Sequence, residues 1–300
     1  PPEYRTGFIA VEPGTTREFE TPEAWLAGSG TAGIEVSASP VAECAGAYAW
    51  LRRYPYGCLE QTVSAAFPLL YQDALARAAG AGDSASQAPT PVGLTRSVQR
   101  VLLMEAAGGG FASWPGNRGV WHSGSVYAMH FLAEAANRGV RVENAHLKRG
   151  AAFLRKLAAG AYENTSTQDR AYALYVLACL DQPEPGIARG MCANRELSGY
   201  ARFLAAASLV RHDGGRKAVG DMQSAMETDY LKGRFGWDMD SRARRLGLAL
   251  NVLLDVTPDS RAVPELLQAL RHEKNRRGHW GSTQTNALAV LALGKWAARN

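Results

Sequence analysis

The stretch Tyr54-Pro55-Tyr56-Gly57-Cys58-Leu59-Glu60-Gln61 is the most informative part of the sequence. Its proline and glycine favour a turn before Cys58, and the residues from Gln61 onward have the apolar spacing of a helix that begins at or just after this stretch. Cys58 and Gln61 stand three positions apart, so a turn between them brings the thiol close to the carboxamide. A thiolate that displaces ammonia from this carboxamide leaves an internal thioester, which is an activated acyl group.

The same two residues also permit a simpler interpretation. Free cysteines are among the most buried residue types, so Cys58 is then a small core residue and Gln61 a solvated helix residue. A bare C-x-E-Q pattern is too short to decide. The stretch continues, however, as Thr62-Val63-Ser64 and then Phe67-Pro68-Leu69-Leu70. This longer string closely resembles the thioester motif of the bacterial α2-macroglobulins.

The resemblance implies that the chain captures proteases through a Cys58–Gln61 thioester. In this family a protease cleaves a bait region, the domains rearrange, and a lysine amine of the protease attacks the acyl carbon of the glutamine. Such a domain reacts once, so it is not a turnover enzyme, and it needs no cofactor. The implied partners are target proteases and the neighbouring CUB and macroglobulin-type domains. The implied location is the periplasm, in a parent lipoprotein anchored to the inner membrane.

Water has to be kept away from a stored thioester, because hydrolysis converts Gln61 to glutamate. In the family, the aromatic residue four positions before the cysteine packs over the thioester. Tyr54 holds this position here, and Tyr56 is the second candidate for shielding. The alternative for each is a tyrosine that packs at the turn with its hydroxyl group in solvent.

Two further residue types are candidates for a part in the reaction. Some related vertebrate proteins use a histidine to steer acyl transfer, and His122 and His279 are the better candidates because both follow aromatic turns. A solvated or hydrogen-bonded histidine is the simpler interpretation for both. Glu60 is expected to point away from the thioester and to bond locally, with a role as general base as the alternative.

The chain divides into two parts of different character. Residues 1–40 contain short β-type runs between glycine, proline and threonine residues, and the resemblance makes them the first part of a CUB-type β-sandwich. Residues 41–300 are rich in alanine and leucine, and the resemblance makes them a thioester-containing α/α toroid. Apolar residues at three-and-four spacing predict eleven helices there, at about 41–53, 60–80, 92–107, 123–138, 143–158, 167–181, 196–212, 215–230, 240–255, 261–274 and 283–298.

Glycine–aromatic turns recur in the helical part at 109–114, 233–237 and 278–282, each followed by a helix. Such turns between antiparallel helical hairpins favour a closed toroid, with an open solenoid as the alternative. The tryptophan of each turn is expected in the core, namely Trp114, Trp237 and Trp280. An eleventh helix is an odd number for a fold of pairs, which indicates a truncated toroid or a missed helix.

Composition excludes several other classes. Hydrophobic residues make up 46% of the 300 residues, and the net charge of +5 comes from scattered lysines and arginines. Nucleic-acid binding needs a basic stripe with interleaved aromatics, and a membrane span needs about eighteen apolar residues in a row; the sequence has neither. The absence of C-x-x-C and of metal-ligand histidine spacing argues against a metal site. Cys179 and Cys192 flank the apparent loop 181–186, and whether they form a disulfide stays open.

Two rival functions remain. Terpene cyclases and prenyltransferase β-subunits also use α/α toroids with Gly-Gly-Phe turns, and Trp237-Asp238-Met239-Asp240 is superficially similar to an acidic cyclase motif. Ser241 stands where the fuller Asp-x-Asp-Asp would have its last aspartate. The other rival is a toroid binding module in which the thioester motif is vestigial.

Overall fold

A computed structural model describes residues 11, 14–18, 28, 39, 41, 44–53, 57–78, 91–227, 239–275 and 278–300. The predicted β segment at residues 1–40 lies almost entirely outside these residues. Both this segment and its assignment to a CUB-type domain therefore stay predictions.

The described part of the chain is mainly α-helical, as the sequence predicts. A 3-10 helix at Phe67–Tyr71 joins α2 to α3. The α-helices are α1 (Ala45–Arg53), α2 (Leu59–Ala66), α3 (Gln72–Ala78), α4 (Pro91–Leu102), α5 (His122–Asn137), α6 (Asn144–Ala158), α7 (Thr167–Cys179), α8 (Pro185–Ala193), α9 (Gly199–Asp213), α10 (Arg216–Glu227), α11 (Arg242–Val256), α12 (Ala262–His272) and α13 (Thr283–Ala297).

Six of the described helices form a closed ring. Helix α2 packs against α5, and the series continues through α7, α9 and α11 to α13, which packs back against α2. Long stretches of α5, α7, α9, α11 and α13 are buried on all sides, as expected of helices covered by others. The remaining helices cover this ring from outside. The arrangement is the predicted α/α toroid of helical hairpins.

Helix α8 is a helix that the sequence pattern does not predict. Residues 181–186 are predicted as a loop, and this is wrong for the end of that segment, because Pro185 occupies the first turn of α8. Proline is well tolerated at that position, where its missing N–H has no helical partner. Cys192 lies on α8 with its Sγ 3.9 Å from the carbonyl oxygen of Arg202, and Cys179 is buried at the end of α7. Both are free thiols in the structure.

The single helix predicted at 60–80 is interrupted. Pro68 lies in the first turn of the 3-10 segment between α2 and α3. A proline inside an α-helix removes one hydrogen bond and clashes with the preceding turn. The chain therefore tightens at Pro68 before the α-helix resumes at Gln72.

The aromatic turns differ from one another. Trp280 is only 4% exposed and donates its indole N–H to the carbonyl oxygen of Leu270 at 2.7 Å, which confirms the core prediction. Trp114 is 44% exposed, so the core prediction is wrong for this residue. The backbone of this turn packs closely against α6 instead. Gly109 has φ +84°, and a Cβ there would lie 2.2 Å from the carbonyl oxygen of Arg149. Trp237 lies outside the described residues.

Two negative findings hold for the described residues. None of their helices combines the length and the apolar character that crossing a membrane requires. Their histidine, cysteine, aspartate and glutamate side chains form no group of three or more that could hold a metal ion.

Candidate functional site

Cys58 and Gln61 lie at the start of α2, the first helix of the inner ring. Cys58 is the N-cap residue, with extended backbone angles (φ −67°, ψ 171°), and the helix begins at Leu59. Gln61 is the third residue of the helix. Both side chains are partly exposed. The predicted shielding residues, Tyr54 and Tyr56, lie outside the described residues, so their role stays a prediction.

Each side chain of the pair faces the backbone N–H of the other residue across the first turn. The thiol of Cys58 faces the backbone N–H of Gln61, and the carboxamide oxygen of Gln61 lies 3.4 Å from the backbone N–H of Cys58. This reciprocal arrangement is a capping box, usually made by serine or threonine with glutamate or glutamine. Here it brings a thiol and a carboxamide to the same side of one turn.

The electrostatic environment of Cys58 favours the neutral thiol. Partial burial raises its pKa and is the dominant cause, and the negative charge of Glu60 raises it further. Backbone N–H groups of Gln61 and Glu60 act in the opposite direction, because they donate towards the sulfur and favour a thiolate. The N–H groups of Gln61 and Glu60 therefore point towards the sulfur, while the carboxamide oxygen of Gln61 is close to the N–H of Cys58.

Neighbouring segments hold the turn in place. The backbone N–H of Leu59 donates to the carbonyl oxygen of Ser113 at 2.9 Å. This satisfies one of the helix-start N–H groups that no residue of α2 can reach. The carbonyl oxygen of Gly57 accepts from the hydroxyl of Thr62 at 3.3 Å and lies 3.4 Å from the guanidinium of Arg100. The aromatic turn at 109–114, in which only Trp114 is exposed, is therefore part of the surroundings of the motif.

The carboxylate of Glu60 connects three inner helices. It accepts hydrogen bonds from the hydroxyls of Ser64, one turn along α2, and of Thr283, at the start of α13. Ser64 in turn lies 3.0 Å from the hydroxyl oxygen of Tyr127 on α5. The expected local bond exists, but the contact with α13 was not predicted. The sequence gives no signal for it, because 223 positions separate Glu60 from Thr283.

The two candidate histidines are engaged with aromatic neighbours. The ring of His122 lies 5.0 Å from that of Tyr162, and its Nδ1 is 3.3 Å from the hydroxyl of Thr165. His279 stacks on Trp50, with ring centroids 5.1 Å apart and planes 8° apart. These contacts favour the simpler interpretation of both residues as packed, hydrogen-bonded histidines.

A second polar cluster lies at the other end of the inner helices. Lys295 pairs with Glu134 and with both carboxylate oxygens of Asp255, the latter at 2.7 Å. His130 is fully buried between Glu134 and Tyr172. Glu134, Asp255 and Lys295 lie in the closing turns of α5, α11 and α13, whereas Cys58 lies at the start of α2. The candidate site is thus at the rim and not inside the barrel.

The described residues of the segment that is similar to a cyclase motif form an ion pair and a helix cap. Asp240 binds the guanidinium of Arg245 through both oxygens, at 2.9 and 2.5 Å, and Ser241 caps α11 by accepting the N–H of Arg244. Asp238 lies outside the described residues. The described part of the motif therefore has a structural role in starting α11.

Comparison with known proteins identifies relatives of one kind. No protein-family model matches the chain. Over 104 residues it is 38% identical to alpha-2-macroglobulin of Escherichia coli strain K12, an alignment that covers 33% of this chain and 6% of the relative. The native conformation of E. coli alpha-2-macroglobulin matches 86% of this chain and 17% of that chain at 28% identity, with a TM-score of 0.72. Salmonella alpha-2-macroglobulin reacted with methylamine matches 86% and 18% at 29% identity, also with a TM-score of 0.72.

The chain is similar to bacterial alpha-2-macroglobulins in sequence and in fold. It spans less than a fifth of the length of these full-length relatives. The comparison therefore supports the helical fold and the likeness to these proteins, while the activity of a whole alpha-2-macroglobulin is a proposal for this chain.

Proposed function

We propose that this chain is the thioester domain of a bacterial alpha-2-macroglobulin that acts as a protease trap. Cys58 and Gln61 form the thioester, and a lysine amine of an attacking protease takes up the acyl group after a bait region has been cleaved. The domain acts once and does not turn over. Its partners are target proteases and the neighbouring domains of the parent chain, and its location is the periplasm.

The reciprocal arrangement of Cys58 and Gln61 is the observation that carries this proposal. A thioester needs the sulfur beside the carboxamide carbon, and the capping box holds both groups at one turn. The pair is partly exposed at the rim, so an amine can approach without opening the barrel. Two relatives are consistent with this chemistry: Salmonella alpha-2-macroglobulin has been reacted with methylamine, and E. coli alpha-2-macroglobulin has been activated by porcine elastase.

The reaction proceeds in two stages. First, the Cys58 sulfur attacks the carboxamide carbon of Gln61, and ammonia leaves with the thiol proton. Later, an amine attacks the same carbon, an amide forms, and the Cys58 thiol is released. The N–H of Cys58 lies near the acyl oxygen, and the N–H groups of Glu60 and Gln61 face the departing sulfur. Donors fixed in these positions stabilise the charge that develops on attack.

Intact mass and thiol titration test the proposal directly. The thioester lowers the mass of fresh protein by about 17 Da, the mass of the lost ammonia. Of the four cysteines, three titrate in unfolded fresh protein and all four after treatment with methylamine. Gln61→Glu is the matched control, because it keeps a capping-box residue but has no carboxamide, so it should show four thiols throughout.

The same measurement decides between the trap and a binding module with a vestigial motif. A capping box also stabilises a helix without any covalent chemistry. Full mass and four titratable thiols in fresh wild-type protein would favour the vestigial motif. In that case Cys58 and Gln61 would serve only to start α2.

Protease capture is tested in a protein that also carries the bait region. A protease with free lysines should become attached through an amide bond that survives denaturation and reducing agent. The same protease with its lysines dimethylated should be inhibited without covalent attachment. Equal attachment of both proteases would contradict capture through lysine amines.

Shielding by Tyr54 is tested separately. Tyr54→Ala should speed spontaneous loss of the thioester in buffer without an amine, because water then reaches the acyl carbon more easily. Tyr56→Ala serves as the comparison at the same turn. An unchanged rate of thiol release in Tyr54→Ala would assign Tyr54 to packing of the turn.

A further inference from the structure

We propose that Glu60 is a positioning residue that fastens the turn containing Cys58 and Gln61 to the start of α13. This inference concerns the control of the proposed thioester site and rests on the function proposed above. It follows from a set of hydrogen bonds that joins the first inner helix of the ring to the last.

The contact between Glu60 and Thr283 is the centre of the argument. The hydroxyl of Thr283 lies 2.6 and 2.8 Å from the two carboxylate oxygens of Glu60. Thr283 is the first residue of α13 and is 7% exposed. Hydrogen bonds to a carboxylate are stronger than those between neutral groups, and more so where water is excluded. The bond therefore sets the position of the first turn of α2 relative to α13.

A second set of contacts fixes the carboxylate from within the barrel. Ser64 donates to Glu60 at 2.8 Å, is itself fully buried, and lies 3.0 Å from the hydroxyl of Tyr127. Within the described part of the chain, Glu60 forms no ion pair, so hydroxyl groups alone hold its charge. The chain Thr283–Glu60–Ser64–Tyr127 thus joins α13, α2 and α5 where the ring closes.

Glu60 lies between Leu59 and Gln61, so the hydrogen bonds of Glu60 also affect the reactive pair. Cys58 and Gln61 belong to the same helical turn as Glu60, and their geometry depends on where that turn sits. The fixed carboxylate also keeps a negative charge near Cys58, which disfavours the thiolate. Arg100, from α4, bonds the neighbouring carbonyl of Gly57 and is the opposing charge on that side. Glu60 is therefore expected to slow both loss of the thioester and reaction of the free thiol.

The experiment compares two threonines at the start of α13. Thr283→Val removes the hydroxyl that binds Glu60 and keeps the shape of the side chain. Thr285→Val is the matched control, because the hydroxyl of Thr285 contacts Ser241 and Ser282 instead. Thr283→Ser restores a hydroxyl and should rescue the wild-type behaviour. Glu60→Gln keeps the shape of the carboxylate and removes its charge.

Two rates are measured at fixed pH for each variant, and the midpoint of thermal unfolding is measured as well. The first is spontaneous thiol release from fresh protein, and the second is alkylation of the Cys58 thiol by iodoacetamide after methylamine treatment. Thr283→Val and Glu60→Gln should raise both rates, by ~10-fold for Thr283→Val, because the turn loses a hydrogen bond to a charged group and opens more often to water and reagent. Thr283→Ser and Thr285→Val should stay within about 2-fold of wild type.

The outcomes separate this inference from the proposed function. Equal rates in Thr283→Val and wild type, or equal changes in Thr283→Val and Thr285→Val, would overturn the role of Glu60. If fresh wild-type protein carries no thioester, the proposed function fails, yet the alkylation rate of Cys58 still tests the positioning. A rise confined to Thr283→Val and Glu60→Gln would then support Glu60 as the residue that fixes this turn.

Discussion

At the start of the inner helices, Cys58 and Gln61 are partly exposed and are held by capping interactions, while at the other end Lys295, Glu134 and Asp255 form a buried ion cluster. The first region combines neutral groups with one carboxylate held by hydroxyls and the exposed guanidinium of Arg100. The second pairs full charges that are largely buried, of which Asp255 is the most exposed at 16% of its side chain. A reactive group must be accessible to its reactant. A buried charge must keep its partner, because removal of one charge leaves the other uncompensated.

The difference predicts unequal consequences of mutation at the two ends. Removing one partner of a buried ion pair leaves an uncompensated charge in a poorly polarisable medium. Removing a cap at the rim leaves groups that water can still reach. Stability should therefore depend on the buried end, and thioester chemistry on the rim.

Lys295→Met should have the largest effect on stability. Burial by itself lowers the pKa of Lys295, but Asp255 and Glu134 outweigh burial and hold this pKa above its ordinary value. Without the ammonium group, two carboxylates face one another, and the free energy of unfolding should fall by about 3–5 kcal/mol. Chemical denaturation measures it.

Lys217→Met is the control for this prediction. Lys217 pairs with Asp221 at 2.8 Å, four residues along α10, and its side chain is 87% exposed. Exposed pairs of this kind contribute between 0 and about 1 kcal/mol. A comparable loss of stability in both variants would contradict the contrast between buried and exposed charges.

His130 should make stability fall with decreasing pH. Burial lowers its pKa below the ordinary value of 6.5, although the neighbouring Glu134 acts in the opposite direction. The unfolded chain therefore takes up a proton near pH 6.5 that the folded protein does not. Its contribution to stability is complete above the unfolded pKa and is lost as the pH falls towards the folded pKa.

The size of this effect is set by one proton. The free energy of unfolding should decrease by about 1.4 kcal/mol per pH unit below about pH 6.5. Urea denaturation at a series of pH values gives the slope. His130→Gln should remove this slope, and His212→Gln, at an exposed position near the end of α9, should keep it. The stability that Glu134 contributes is lost only at lower pH than this, because Lys295 holds the pKa of Glu134 below its ordinary value against the effect of burial.

Cys58→Ser and Cys58→Ala should separate chemistry from capping at the rim. Serine keeps the N-cap function, so the stability of Cys58→Ser should lie close to that of wild type without its thioester. Alanine loses the cap and should cost about 1 kcal/mol. Both variants should show full mass and no reaction with methylamine. A large loss of stability in Cys58→Ser would mean that Cys58 is mainly a core residue.

Arg100→Ala should have the smallest effect. Arg100 is exposed and lies 3.4 Å from the carbonyl oxygen of Gly57, a long contact. The free energy of unfolding should change by less than about 0.5 kcal/mol. The rate of methylamine incorporation should also change little, and a strong effect would show that the rim is more tightly held than its exposure indicates.

Long helices with a clear apolar period could be predicted from sequence, and short or interrupted ones could not. The helices that begin at Pro91, Thr167 and Thr283 start within a residue of their predicted positions. Helix α8 was missed because it is short and starts with Pro185-Gly186, residues that also begin loops. The helix predicted from position 261 begins at Ala262.

The candidate site shows the same division between local and distant interactions. Residues 54–61 by themselves predicted a turn, a helix start and the pairing of Cys58 with Gln61, because those interactions span only a few positions. The position of Glu60 against Thr283, the bond from Leu59 to Ser113 and the exposure of Trp114 depend on helices distant in sequence.

The sequence by itself determined that the chain is helical, that it resembles the alpha-2-macroglobulins and that Cys58 and Gln61 belong to one turn. Only the tertiary structure decided that α13 closes the ring on α2 and that the reactive pair lies at the rim. It also decided that Lys295, Glu134 and Asp255 meet inside. The physical reason is that local patterns fix the conformation of a segment. The packing of separate helices depends instead on the complementary shape and charge of surfaces that are distant in the sequence.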